Sequence, residues 1–345
     1  MKRAVVLLSV LAALVASLGV MTVLAQDIVE QIDLDETAGE FPEGLVVDGD
    51  GNIYFGLAPT GEIRMITPAG DVSSFAKLPN APEGTSGTLG LDFNDAGELF
   101  AAMATFDESH GIWKISADGS ETELFVSLDP SGVPNVLDFH SDGSLFVSNT
   151  SGGAVWKIAT DGTVETWLAD PLLAGSNPPG PVGLPLGANG LNFDADESNL
   201  YVSVTDMNRV VKIPVNADGT AGTAEVFAED AETLAGPDGM AWGPNGDLYV
   251  ALVGSDSLSK ISADGTITAI HSGAPLMNPS DVAFGIGDDS NKLYIANFAF
   301  FRVIGLMPGD PAPGILTLDT TPPAPPNMPA IPSSACWAAS ALWLD

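Results

Sequence analysis

Cysteine occurs once, at Cys336, so the chain cannot form an internal disulfide and its fold must rest on packing alone. Basic residues are scarce, with 11 Lys and Arg against 45 Asp and Glu and a formal net charge of −34. Such a chain repels phosphate backbones and anionic membrane surfaces, which excludes nucleic acid as a partner. Its three histidines and single cysteine show no zinc spacing. Neither a phosphate-cradling Gly loop nor a Gly-x-Ser-x-Gly nucleophile elbow is present. Helical periodicity is missing beyond a turn or two, which excludes an α-rich fold.

What is present points to sheets. Hydrophobic residues make up 45% of the chain and charged residues 16%, enough apolar material for a sizeable core. The 38 Gly and 26 Pro suit many short strands joined by tight turns. Residues 1–25 read as a secretory signal: Lys2 and Arg3, an apolar run from Ala4 to Leu24, and a small residue, Ala25, at the cut. A secreted, periplasmic or extracellular location is expected. The only membrane partner foreseen is an uncleaved N-terminal anchor, since the same run is long enough to span a bilayer.

One unit recurs six times. Inner strands with their turns begin Gly44-Leu-Val-Val-Asp48, Gly90-Leu-Asp-Phe-Asn94, Val136-Leu-Asp-Phe-His140, Gly190-Leu-Asn-Phe-Asp194, Gly239-Met-Ala-Trp-Gly243 and Asp281-Val-Ala-Phe-Gly285. Second strands follow, as in Leu145-Phe-Val147 and Leu248-Tyr-Val250, and third strands such as Gly111-Ile-Trp-Lys-Ile115 lead into Asp-Gly hairpins. A period of about 45 residues with four antiparallel strands specifies an all-β fold, a six-bladed β-propeller of four-stranded blades. The sixth repeat lacks one strand. Asp27 to Leu34 is expected to close the ring from the N-terminus, with Ile315 to Leu318 as the competing closer. The expected organisation is a signal peptide at 1–25, the propeller at 27–307 and a Pro-rich tail at 308–345.

The residues that open the six inner strands should meet at one mouth of the central channel. They are Glu43, Leu89, Asn135, Asn189, Asp238 and Ser280. Taken singly, Glu43, Asn135, Asn189 and Asp238 are ordinary turn residues. As a set at equivalent positions they offer four oxygen donors, two of them carboxylates, which suits a hard dication such as Ca2+, other divalent cations remaining open. Asp48-Gly-Asp-Gly-Asn52 has the look of a calcium loop but lacks the downstream Glu and is read as a hairpin.

With these residues the chain resembles the regucalcin (senescence marker protein) and gluconolactonase propellers over about Asp27 to Met307. In that family a calcium ion is held by a Glu before the first inner strand, Asn residues before the third and fourth, and an Asp before the fifth. Glu43, Asn135, Asn189 and Asp238 match in type and blade order. The resemblance implies a calcium-dependent hydrolase acting on a small lactone or related ester, with Asp238 as base or nucleophile. Family lactonases carry an Arg where Val133 stands here, so a less polar lactone or ester is as fitting as a sugar lactone. The alternative is a non-catalytic exported propeller that binds a small molecule or protein partner. His110 and His271 are further catalytic candidates, as imidazoles in loops on the ion's face. His140 belongs to the opposite end. Loops Ser127 to Pro134 and Asp170 to Gly187 are candidate walls of a substrate pocket, and Trp113 and Trp156 are read as blade packing.

Overall fold

The computed structural model describes residues 27–78, 87–105 and 107–321. The signal segment 1–25, the end of the Pro-rich tail and Cys336 lie outside the described residues. Among the described residues no helix is long and apolar enough to cross a membrane.

Six four-stranded antiparallel sheets form a ring. Blade one shows the plan: Pro42–Val47 lies at the channel, Ile53–Leu57 and Glu62–Ile66 follow outward, and Val72–Lys77 is outermost. The inner strands of blades two to six are Thr88–Phe93, Pro134–Phe139, Ala188–Phe193, Pro237–Trp242 and Pro279–Phe284. Each inner strand packs on the next, and that of blade six packs on that of blade one, so the ring is closed.

Blade six explains the apparent shortfall of strands. Its sheet runs Pro279–Phe284, Lys292–Asn297, Gly314–Asp319 and then Ile28–Asp33. The two competing closers are therefore both used, one as the third strand and one as the fourth. Ile28 pairs with Leu318 and Asp33 with Gly314. The propeller accordingly extends to Asp319, past the boundary expected at Met307.

The repeat signature has a packing cause. At each of five blade interfaces the aromatic of one second strand meets the last residue of the next inner strand edge to face. These pairs are Tyr54–Phe93, Phe100–Phe139, Phe146–Phe193, Tyr201–Trp242 and Tyr249–Phe284, with ring centroids 4.9 to 5.1 Å apart. Pairs of this geometry contribute about 0.5–1.5 kcal/mol each beyond the area they bury. Trp156 is buried in the core between blades two and three, and Trp113 packs on the core between blades one and two with its indole N–H on the Ser109 carbonyl. Asp48 takes the N–H groups of Asp50 and Asn52 and closes a hairpin, as its sequence implied.

Candidate metal centre at the channel mouth

Five inner strands begin with the same irregularity. In blades one to five the ladder skips the second and third residues: Pro42 pairs with Leu57 and the next pair is Leu45 with Phe55, and likewise at Thr88/Leu91, Pro134/Leu137, Ala188/Leu191 and Pro237/Met240. A bulge of this kind releases a side chain from strand alternation and re-aims it. The residues released are Glu43, Leu89, Asn135, Asn189 and Asp238, the positions singled out in the sequence.

The residue after each is glycine in four of the five, and the ring requires it. A Cβ on Gly44 would overlap the carbonyl oxygen of Leu89, one on Gly90 would lie 2.6 Å from that of Asn135, and one on Gly190 would overlap that of Asp238. These three glycines thus seat the backbone of the next blade's mouth residue, and Gly239 makes room for Asp281. Ser203 completes the seat in blade four, accepting the N–H of Gly190 at 2.8 Å and donating to the Asp238 carbonyl at 2.8 Å.

The four candidate ligands are buried: Glu43 7%, Asn135 6%, Asn189 5% and Asp238 6% exposed. The Oδ1 atoms of Asn135, Asn189 and Asp238 have no hydrogen-bond partner. Burying an acceptor without a partner costs about 1–3 kcal/mol, and three such acceptors on consecutive blades at one mouth suit a common cation. The orientation of Asn189 follows from its neighbours. Its Nδ2 donates to Thr205 Oγ1 at 3.0 Å, and that hydroxyl donates to the Pro237 carbonyl at 2.8 Å. Oδ1 is therefore the atom left over. Thr150, which follows the second strand of blade three as Thr205 follows that of blade four, adds another buried oxygen without a partner.

The electrostatics agree. Burial, and then the charges of Asp238 and Asp281, push the Glu43 carboxyl well above its usual range. Burial and Asp281 do the same to Asp238. Asp281, which sequence comparison of the repeats did not single out, is itself pushed up to about 7 by burial. Its two oxygens accept the N–H groups of Leu45 and Val282, both at 2.9 Å, and so clamp blade six to blade one. Its signal was a carboxylate where blades one, two, four and five have glycine. Three interacting carboxylates sharing a buried mouth fit a dication, which removes the repulsion among them. No group of three or more His, Cys, Asp or Glu side chains is arranged as a metal site among the described residues; the set here is two carboxylates with two amides.

Neither histidine candidate joins this set. His110 is buried, accepts the Thr105 N–H through Nδ1 at 3.2 Å and is hydrogen-bonded to the backbone of Asp129. Burial lowers its pKa, and its hydrogen bonds brace two loops. His271 lies within the outermost strand of blade five, Ile267–Ser272, and not in the connection beyond it. It stands three strands from the channel strand, about 14 Å at sheet spacing, with Nε2 on the Ala274 carbonyl. His140 sits at the other end among Asp142 and Glu197, as expected.

The 170–187 connection is anchored at both ends. Asp206 Oδ2 accepts the N–H of Ser176 at 2.9 Å and of Leu186 at 2.8 Å, and the Ser176 hydroxyl at 2.7 Å.

Comparison with known proteins places this geometry. The model of the SMP-30/gluconolactonase/LRE-like region matches residues 185–298, and a strictosidine synthase-like N-terminal model matches residues 28–63. The pentonolactonase XacC of Haloferax volcanii is 31% identical over 221 residues, covering 63% of this chain and 69% of the relative. A virginiamycin B lyase of Nocardia farcinica is 26% identical, covering 70% of this chain and 72% of the relative. Among solved structures, the calcium-binding protein regucalcin from Agrobacterium tumefaciens superposes with a TM-score of 0.62 at 18% identity, covering 85% of this chain and 93% of its own. With 31% identity sustained across 69% of the pentonolactonase and the matching region model, the chain belongs to the SMP-30/gluconolactonase/LRE-like family.

Proposed function

We propose that this protein is an exported hydrolase of lactones or related esters that works with a divalent cation, calcium by the hardness of its donors, at the channel mouth. The observation that carries the reading is the trio of unpartnered buried oxygens on Asn135, Asn189 and Asp238. Relatives named as lactonases of a pentonolactone and of 6-deoxy-6-sulfogluconolactone support the reaction class.

Glu43, Asn135, Asn189 and Asp238 would hold the ion. Bound there, it would supply positive charge to the oxyanion that develops on a lactone carbonyl. The chain's own part falls to Asp238. A carboxylate shared with the ion can turn one oxygen toward a water beside it, the position a general base needs. As water adds to the carbonyl carbon, Asp238 takes its proton. The ring C–O bond then breaks, and the departing alkoxide recovers a proton to give the open hydroxy acid. Thr205 and Ser203 act through others, holding Asn189 and the Asp238 backbone in place. Export rests on Lys2, Arg3 and the apolar run to Leu24, and the N-terminal sequence of protein recovered from the culture fluid tests it.

The functional test is hydrolysis of a lactone and aryl-ester panel with calcium, after chelation, and by Asp238→Asn. Loss of turnover in both treatments, with calcium binding read separately by calorimetry, is expected. A folded protein that binds calcium and hydrolyses nothing would instead favour a binding propeller.

A further inference from the structure

A cavity of about 340 Å³ adjoins the candidate centre on the blade-four and blade-five side. Thr205, the residue that orients Asn189, lines it, as does Gly236, two residues before Asp238. Its walls come from the two long connections of this face. Pro181, Val182 and Leu186 belong to the 170–187 connection, and Phe301, Leu306 and Met307 to the segment between Lys292–Asn297 and Gly314–Asp319. The latter segment is itself fastened. Phe300 stacks on Phe298 and meets Phe41 edge to face, while Arg302 is tied to Asp256 at 2.6 Å and to Asn278 at 2.9 Å.

The chemistry of the lining is one-sided. No Lys or Arg lines the cavity. Nearby, Arg302 is committed as above and Arg209 pairs with Glu229 at 3.0 Å. Most of its polar atoms are engaged: Thr205 by Asn189 and Pro237, Asp206 Oδ2 by Ser176 and Leu186, and Asn208 Oδ1 by the Gly236 N–H at 2.9 Å, which leaves Asp206 Oδ1 and the Asn208 Nδ2 amide as the polar groups open to a ligand. The two connections and the Thr205–Met207 turn carry Leu184, Met207, Val303 and Ile304, each 36 to 50% exposed, so the approach to the cavity is apolar as well.

The geometry points to a substrate class: we infer that the lactone taken by this site carries an apolar alkyl or aryl substituent, which fills the cavity walled by Phe301, Leu306 and Met307 while the ring lies over Asn189 and Asp238. The inference rests on the hydrolase reading. A sugar-acid or phosphorylated lactone would place an anion where no Lys or Arg can pair with it, beside the Asp206 carboxylate and at the mouth of a strongly acidic protein. Discrimination by a pocket of this kind follows from the apolar surface it removes from water.

The test compares kcat/KM for an alkyl-substituted γ-lactone, unsubstituted γ-butyrolactone and a polyhydroxylated aldonolactone, in the wild type and in Phe301→Ser and Leu306→Gln. The wild type should favour the alkyl lactone over butyrolactone by about tenfold or more, and each variant should erase about tenfold of that ratio. Preference for the aldonolactone, or a ratio unmoved in both variants, would overturn the substrate class and leave the hydrolase reading standing. Absence of turnover on every lactone would overturn the hydrolase reading. Calorimetric titration with an alkyl γ-lactam, which is not hydrolysed, decides the cavity without turnover. Binding that weakens in Leu306→Gln supports occupancy by the apolar group, and binding no tighter than that of unsubstituted pyrrolidinone refutes it.

Discussion

Thr205 is the most informative single side chain to change. Thr205→Val keeps the volume and removes the hydroxyl, leaving Asn189 Nδ2 and the Pro237 carbonyl without the partner each now has at 3.0 and 2.8 Å. Both sites are buried. Each orphaned group costs about 1–3 kcal/mol, so the variant should lose about 2–6 kcal/mol from a total of about 5–15 kcal/mol. The sharper consequence concerns the ion. With nothing to receive Nδ2, the Asn189 amide no longer distinguishes its two ends, and either the oxygen or the nitrogen can face the mouth. Loss of an orienting partner of this kind weakens metal binding by about 10–100-fold. Calcium titration of chelator-treated protein by calorimetry measures it, alongside urea denaturation, with Thr205→Ser restoring the hydroxyl. A Thr205→Val protein that is destabilised but binds calcium as tightly as Thr205→Ser would refute the claim that this hydroxyl fixes the ligand's orientation.

Three further outcomes follow from the ring. Gly190→Ala drives a Cβ into the Asp238 carbonyl oxygen, a backbone atom that cannot swing aside; urea denaturation should show a loss of about 1–3 kcal/mol or more, whereas Gly49→Ala, with open space around it, should stay within about 0.5 kcal/mol. Burial pushes Asp92 from 3.8 up to about 7 while it braces the N–H groups of Phe93 and Phe139. The folded state therefore holds a proton that the unfolded chain has released between those values, and this group's destabilisation is absent below about pH 4 and complete above about pH 7. A rise of roughly 3 units corresponds to about 4 kcal/mol at most, so stability of the cation-free protein should fall as pH rises through that window. Asp92→Asn should flatten the slope, and an equal slope in the variant would contradict the assignment. Removing residues 27–33 uncovers the edge of Gly314–Asp319, and light scattering should then show association through that edge; a monomer with unchanged melting would speak against a closing role.

The ring was legible because its packing rule recurs at five of the six blade interfaces: an aromatic in the second strand and an aromatic at the end of the next inner strand must meet, so both positions repeat. The mouth was legible for the same reason, since equivalent positions in a ring converge. Asp281 was not, because blade six departs from the glycine pattern and its carboxylate reads as one more acidic residue until its oxygens are seen bridging to Leu45. The histidines misled because a loop position says nothing about which neighbours claim the ring nitrogens. Ile315 to Leu318 was legible as a strand but its place as the third of blade six was not, because the long insert that precedes it separates Gly314 from its repeat. The cavity walls come from two connections with no counterpart in other repeats, so periodicity is silent about them.

The bond between the Thr317 hydroxyl and the Val29 carbonyl joins residues 288 positions apart, and this gives the fold a timetable. At a synthesis rate of about 5–20 residues per second, the first strand of the ring waits roughly 15–60 s for a partner to exist. Closing so long a loop from a free chain would cost about 5 kcal/mol of entropy, but five assembled blades bring the two ends together beforehand. The clasp is therefore the last piece to engage, and the ring cannot latch before its final strand has been made.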